Sequence, residues 1–427
     1  MRNVKIWAHE AEKTPASSFR STAPGSEATA RADAAAALDP MLPPLRSIAI
    51  AGAWGYIGRK VLDAALRRGL RVSVYDPGPF PADLNPQAVT RLASESSFYD
   101  LDVDLFHLAL HPEARHTAQS RLLQRAESKP LFILNEKPIV LPESSQDALP
   151  LLEAVDRSRA VMLYDFPELF DPLTHRITEY LSRFTQVEIS SIAVERSKDR
   201  EDPAIPRNYK RMLPIQFQES VHCLAYVLYV LAALRGSFEA VLAEGVSVSA
   251  NSEPYLPPNP GTYPYVVDGR CEFRLSLGPL AVEGITNFKR GASWAKRRLL
   301  RGHGDGQPFV IEADYLEGRK YLRINGADQD WDAAASSYEA ILSTLAHWRA
   351  TVPAATLLRG VYPNPRLAWL AFQLSGALWR SSRERRRIDI ADLRALNGFD
   401  SGFRAARENL PPYAVQAKNA GRDDHGG

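Results

Sequence analysis

The sequence predicts an α/β protein in two parts, a doubly wound parallel sheet followed by an α+β unit on an antiparallel sheet. Three observations carry this. Residues 48–76 read as strand, glycine turn, helix, strand. Apolar runs and helical stretches then alternate as far as residue 165. From residue 187 short strands follow one another across hairpin-sized turns such as Gly278-Pro279 and Glu317-Gly318. Alternation implies a parallel sheet covered on both faces; strands without intervening helices imply an antiparallel one.

The first stretch sets the register for the rest. An apolar run from Ile48 enters Gly52-Ala53-Trp54-Gly55-Tyr56-Ile57-Gly58, and Val61, Leu62, Ala65 and Leu66 then recur at helical spacing. Glycine at 52 lets the chain turn sharply off the strand. Gly55 allows backbone N–H groups to approach a pyrophosphate at the positive end of the helix. Gly58 permits close packing of helix on strand. A second apolar run, residues 72–75, ends on Asp76, placed to accept bonds from ribose hydroxyls and to repel a 2′-phosphate. The pattern is the first half of a Rossmann unit. It predicts cofactor contacts from Gly52, Trp54, Gly55, Tyr56, Ile57, Gly58 and Asp76, with NAD favoured and NADP left open by nearby Arg71.

Composition bounds the alternatives. The 427 residues allow two domains with ample core, and 45% hydrophobic with 24% charged content is ordinary for a globular protein. A net charge of +2 gives no global basic field for nucleic acid. Two cysteines, Cys223 and Cys271, make no disulfide framework or metal spacing and fit a reducing compartment. No apolar run reaches the roughly 18 residues of a membrane span, and no signal-peptide core opens the chain. The expectation is a cytoplasmic protein without metal, membrane or nucleic-acid partner.

In order, residues 1–44 read as a disordered tail, 45–166 as the nucleotide-binding domain, 167–382 as the α+β domain and 383–427 as a partly disordered extension. Residues 103–110 read as a buried strand stopped by His111-Pro112, and 114–127 as a helix. A strand over 131–134 ends on Asn135-Glu136-Lys137-Pro138; a helix over 142–157 and a strand over 161–165 follow. Gly52, Asp76, His111 and Lys137 thus lie just past strand ends, where ligands of such sheets bind. Further strands are expected at 187–195, 246–249, 269–277, 280–288, 309–315 and 320–325. The five prolines of 253–264 predict an irregular loop, one candidate to cover the cleft. Helices are expected at 173–184, 223–234, 338–349 and 365–379.

The glycine turn, Leu110-His111-Pro112 with His116 beyond, and above all Glu136-Lys137-Pro138 resemble the Gfo/Idh/MocA oxidoreductase family. The resemblance spans about residues 47–382, with its distinctive motifs before Pro172. It implies a Rossmann domain followed by an α+β domain with a large, mostly antiparallel open sheet, often a homodimer or homotetramer interface. It also implies hydride transfer between a nicotinamide cofactor and a carbinol carbon of a sugar, nucleotide-sugar or cyclitol. Lys137 matches the lysine beside the reacting oxygen and His222 the histidine that bonds the substrate hydroxyl. Leu110, His111, Pro112, His116, Glu136 and Lys137 match the cofactor cleft.

The chain departs from the family where many members carry Asp four residues before the histidine. Gln218 stands there and cannot take a proton, although it can still orient substrate. Either Lys137 and His222 suffice, or the protein is a catalytically silent NAD(P)-binding sensor or assembly partner. An extended short-chain dehydrogenase is disfavoured, because the single Tyr-x-x-x-Lys, Tyr56 to Lys60, lies inside the cofactor turn. Arg196, Lys198, Arg207, Asn208, Tyr209 and Lys210 suit a polyhydroxylated or phosphorylated substrate or, equally, a solvated loop. Arg207, Tyr209, Gln218, His222 and Lys137 are the expected substrate contacts. The basic run Lys296-Arg297-Arg298 with Arg301 reads as solvated loop, and His107 as a core residue.

Overall fold

The computed structural model describes residues 44–331 and 336–390; the expected tail over 1–44, apart from Pro44, and the expected extension over 383–427, apart from 383–390, lie outside them. The first layer is a six-stranded parallel sheet. Its strands are β1 (Ser47–Ala51), β2 (Arg71–Tyr75), β3 (Thr90–Arg91), β4 (Leu105–Leu108), β5 (Leu131–Glu136) and β6 (Ala160–Asp165), in the order β3-β2-β1-β4-β5-β6. β1, β4, β5 and β6 are buried along their whole length, which is why they read as unbroken apolar runs. The order reverses between β1 and β4, and the crevice beyond their carboxyl ends is where such sheets take ligands. The helix Tyr56–Arg67 turns Val61, Leu62, Ala64 and Ala65 onto this sheet. The helix expected over 142–157 is shorter, because Ser144 (φ −120°, ψ 36°) interrupts it and α-helix begins at Ala148.

The second layer has nine strands. They are β7 (Val187–Ser197), β8 (Val246–Pro254), β9 (Asp268–Leu277), β10 (Leu280–Asn287), β11 (Ala295–Gly304), β12 (Gln307–Asp314), β13 (Tyr321–Ile324), β14 (Ala327–Asp328) and β15 (Ile388–Ile390). Their order is β14-β13-β12-β11-β7-β10-β9-β8-β15, with β7 and β10 parallel and every other pairing antiparallel. One face buries Val194, Leu275 and Val282 under the helices; Glu272, Arg274 and Glu283 occupy the other. The helix Val221–Arg235 is buried on almost every side. With the turn before it, it is long and apolar enough to cross a membrane by composition, yet 83% of it lies buried inside the protein.

Two expectations are corrected here. The basic run at 296–301 is not a solvated loop but strand β11, held between β7 and β12. Arg298 is 1% exposed; its Nη1 donates to the carbonyls of Glu195 and Arg297 at 3.0 and 2.8 Å, and its guanidinium lies 5.0 Å from the Tyr226 ring centroid. Those contacts replace part of the water such a side chain would otherwise keep, Nε and Nη2 being buried without a hydrogen-bond partner. The proline-rich loop at 253–264 does not line the cleft. It carries Tyr263, whose hydroxyl accepts from the Met212 amide at 2.7 Å and so braces the segment that does.

Late residues complete early layers. Helix Ser337–Thr351, started by a capping box of Ser336 and Glu339, adds Ile341, Leu342 and Leu345 to the core that holds Ile48 and Ile50 of β1 and Val61 of the helix Tyr56–Arg67. Arg349 Nη1 donates to the Asp104 carbonyl at 2.7 Å.

Candidate functional site

A cleft of about 600 Å³ opens between the carboxyl ends of the first sheet and the segment joining β7 to the core helix. Its first wall is the glycine turn. Gly52 takes φ +77°, and a Cβ there would stand 2.6 Å from the Ala109 carbonyl oxygen. A Cβ on Gly58 would fall 2.1 Å from the Gly52 carbonyl oxygen. Both positions therefore need glycine. The helix Tyr56–Arg67 then begins at Gly55 without a capping side chain and without an acidic residue in its first turn. Its leading amides and positive end are left to a ligand, as a dinucleotide's pyrophosphate requires.

Asp76 accepts the Trp54 amide on Oδ2 and the Gly78 amide on Oδ1, both at 2.9 Å. It holds the turn in shape, and each oxygen keeps a lone pair for a ribose hydroxyl. Gly55, Tyr56, Ile57, Leu110, His111, Pro112, Glu136 and Lys137 line the cleft. Gly52 and Gly58 lie under the turn, outside the lining. Trp54 packs edge-on against Phe80 at 5.3 Å. His116 is exposed on the helix Pro112–Ala126, away from the cleft.

Lys137 and His222 come into this one cleft from different layers. Lys137 follows β5, its bond to Pro138 is cis, and its Nζ donates to the Gln218 carbonyl at 2.9 Å. Gln218 sits in a π-helical turn, Gln216–Ser220, that runs straight into the helix carrying His222. Such turns are common at functional sites because the extra residue re-aims side chains. His222 is 3% exposed, packs edge-on against Phe166 at 5.7 Å, and holds Nδ1 3.5 Å from Glu168 Oε2. Burial, then the charges of Arg196 and Lys137, push the imidazole well below its ordinary pKa, so it stays neutral. Burial also lowers the Lys137 ammonium, against the opposing pull of Glu219 and Glu136.

Around this pair lie two sets of buried carboxyl groups. Glu219 accepts from Arg196 Nε at 2.5 Å and pairs with Lys198, while Arg196 also pairs with Glu168. Burial alone would raise both carboxyls, but these cations hold Glu168 and Glu219 well below the usual range. Glu136 and Asp165 are neighbours across β5 and β6 and have no such partners. Burial raises both, and their mutual repulsion pushes Asp165 further above the usual carboxylate range.

Gln218 and Arg207 also line the cleft, and the Arg207 guanidinium lies 3.3 Å from the Tyr56 ring centroid. Tyr209 is 48% exposed and lies outside it. His107 is a core residue, its Nδ1 3.3 Å from the Leu134 carbonyl. The residues sequence reasoning missed are Glu168, Glu219 and Lys296. Glu219 stands beside the expected Gln218, so a half-turn ambiguity at the helix start was the available signal. Lys296 carried none, because its strand was hidden by its own charges.

No protein-family model and no curated protein matches the sequence. Solved structures do. A myo-inositol dehydrogenase from Corynebacterium glutamicum is 15% identical, with a TM-score of 0.58 over 82% of this chain and 99% of that one. A super-repressor mutant of Gal80p from Saccharomyces cerevisiae is 13% identical, with a TM-score of 0.61 over 82% and 98%. At these identities the likeness shows the fold, shared by a dehydrogenase and a repressor, over nearly the whole of each neighbour.

Proposed function

We propose that this chain, which has the two-domain Gfo/Idh/MocA-type fold, is a nicotinamide-dependent oxidoreductase acting on a carbinol or carbonyl carbon of a polyhydroxylated small molecule. The observation that carries the reading is the meeting of Lys137 and His222 in a cleft that begins at an uncapped glycine-turn helix. Gly55, Tyr56 and Ile57 would hold the cofactor's pyrophosphate, and Asp76 a ribose hydroxyl, favouring NAD. When bound, the nicotinamide supplies or accepts the hydride. Lys137 donates a hydrogen bond to the substrate oxygen, a bond that strengthens as alkoxide character grows. His222, kept neutral, accepts the hydroxyl proton on oxidation and returns it on reduction. Its exchange does not need an acid at Gln218.

The test is an NADH and NADPH titration by fluorescence, followed by turnover assays against cyclitols, sugars and nucleotide-sugars. Absence of binding at millimolar cofactor would sink the reading. Binding without turnover of any panel member would favour a second one, a cofactor-sensing regulator, which Gln218 and the Gal80p-like fold support. A homodimer through the charged face of the nine-stranded sheet is an accompanying proposal, measured by light scattering; a monomer at all concentrations would remove it.

A further inference from the structure

The cleft carries far more positive charge than the proposed chemistry uses. Nine Lys and Arg side chains line it against four carboxyl groups. Four of the cations are paired with carboxylates, and Lys137 is assigned to the substrate oxygen. Arg196 and Lys198 pair with Glu219, Lys60 with Glu317 at 3.6 Å, and Arg211 with Glu113 at 2.9 Å. Lys296 on β11 also has no ion pair, but Arg200, Arg207 and Lys210 stand together, none of them with a carboxylate within ion-pair distance among the described residues. All three come from the single segment after β7.

Arg200 is 4% exposed, lines the cleft, and leaves its buried Nε without a hydrogen-bond partner. Its Nη1 reaches only Asn208 Oδ1, at 3.5 Å. Burial and the neighbouring Arg207 charge lower the Arg200 guanidinium below its ordinary value. Burial, Arg207 and Arg200 do the same to the Lys210 ammonium. Three like charges converge, one of them desolvated, and among the described residues only Glu219, beyond ion-pair distance, opposes the charge of Arg200 with a carboxylate. Such an arrangement is costly unless an anion arrives, because a buried charge without a partner is expensive. Two guanidiniums and an ammonium are also the donor set that phosphate and carboxylate oxygens prefer.

We propose that Arg200, Arg207 and Lys210 form an anion subsite for a phosphate or carboxylate borne by the substrate. The proposal rests on the oxidoreductase reading for the word substrate, and on the side chains alone for the word anion. An anionic group held there anchors the polyol through a remote contact, leaving Lys137 and His222 to address the reacting hydroxyl. The substrate is therefore a sugar or cyclitol phosphate or a polyhydroxy acid rather than a neutral polyol. One other source of the same chemistry exists, the cofactor's own pyrophosphate, since Arg207 lies on Tyr56 at the first turn of the cofactor helix.

The experiment is a calorimetric titration of inorganic phosphate into the full-length protein, without and with saturating NADH. It is repeated on R207Q/K210Q, which removes two partly exposed charges, and on R200Q, with thermal unfolding checked for each. The expected result is phosphate binding to the NADH-loaded wild type that weakens at least tenfold in R207Q/K210Q, while NADH affinity changes less than twofold. Phosphate affinity unchanged in both variants overturns the subsite. Displacement of phosphate by NADH, or a parallel tenfold loss of NADH affinity, overturns the substrate assignment and gives the cations to the cofactor. If NADH fails to bind at all, the oxidoreductase reading falls, while phosphate binding to the cofactor-free protein still decides whether the anion site exists.

Discussion

Two pairs of buried carboxyl groups flank Lys137, and they are in opposite electrical states. Glu168 and Glu219 are surrounded by Arg196 and Lys198 and are held ionised. Glu136 and Asp165 face each other across two strands, have no ion pair among the described residues, and are both pushed above the usual carboxylate range. Burial is the same for all four. What differs is which layer supplies the neighbours: the antiparallel sheet brings cations into ion-pair contact with its pair, whereas Lys137 acts on the parallel sheet's pair only from beyond that distance. Environments that push like groups apart divide acid and base duties within one site.

Removing one member of the paired set tests the contrast most severely. Glu219→Gln strands Lys198 in the core and leaves Arg196 with Glu168 alone, and unfolding by denaturant should show a loss of about 3–5 kcal/mol. Because Glu219 is the largest of the charges that sustain the Lys137 ammonium, the alkaline limb of turnover should also move to lower pH. A stability change under 1 kcal/mol, on the order of a surface ion pair, would mean the cations do not depend on this carboxylate. Next, Lys137→Ala should lower turnover by about 10²–10³-fold, the usual cost of losing one donor to a developing oxyanion. NADH affinity should remain nearly intact, and unchanged turnover would remove Lys137 from the chemistry.

Asp165→Asn separates the pairs by the sign of their pH dependence. The Asp165 and Glu136 pKa values are raised on folding, so the native state holds the extra proton and stability falls as pH rises from the ordinary carboxylate range through the folded values. Depressed values at Glu168 and Glu219 act in the other direction, their stabilisation being lost as pH falls below that range. Urea midpoints from about pH 2 to 8 should therefore flatten on the alkaline side in Asp165→Asn and keep their acid-side decline; a decline lost on both sides would mean the pairs titrate as one. The smallest effect is at Asp76→Ala. It should weaken NADH several-fold more than NADPH, whereas equal losses would leave Asp76 only its bonds to Trp54 and Gly78.

The same division between layers governs how much could be read in advance. On the parallel sheet, function sits at strand ends marked by glycine, proline and a change of periodicity, so Gly52, Gly55, His111 and Lys137 were legible. The opposite wall comes from β11, whose lysine and arginine residues mask a strand, and from a π-helical turn. One extra residue in that turn leaves Gln218 at the rim and sends Glu219 inward. Side-chain ion pairing across the two layers, as between Arg196 on β7 and Glu168 after β6, has no local signature at all. Arg200 and Lys210 were ambiguous between loop and site because only packing could show which charges lack partners.

Helix Ser337–Thr351 bears on how this chain can be dissected. A fragment cut at residue 166 would keep every glycine-turn residue yet leave Ile48, Ile50 and Val61 without the cover that Ile341, Leu342 and Leu345 supply. Bared apolar surface of that kind invites clumping. The nucleotide half is thus not separable by a single scissor stroke, and an excised version needs the distant helix grafted back.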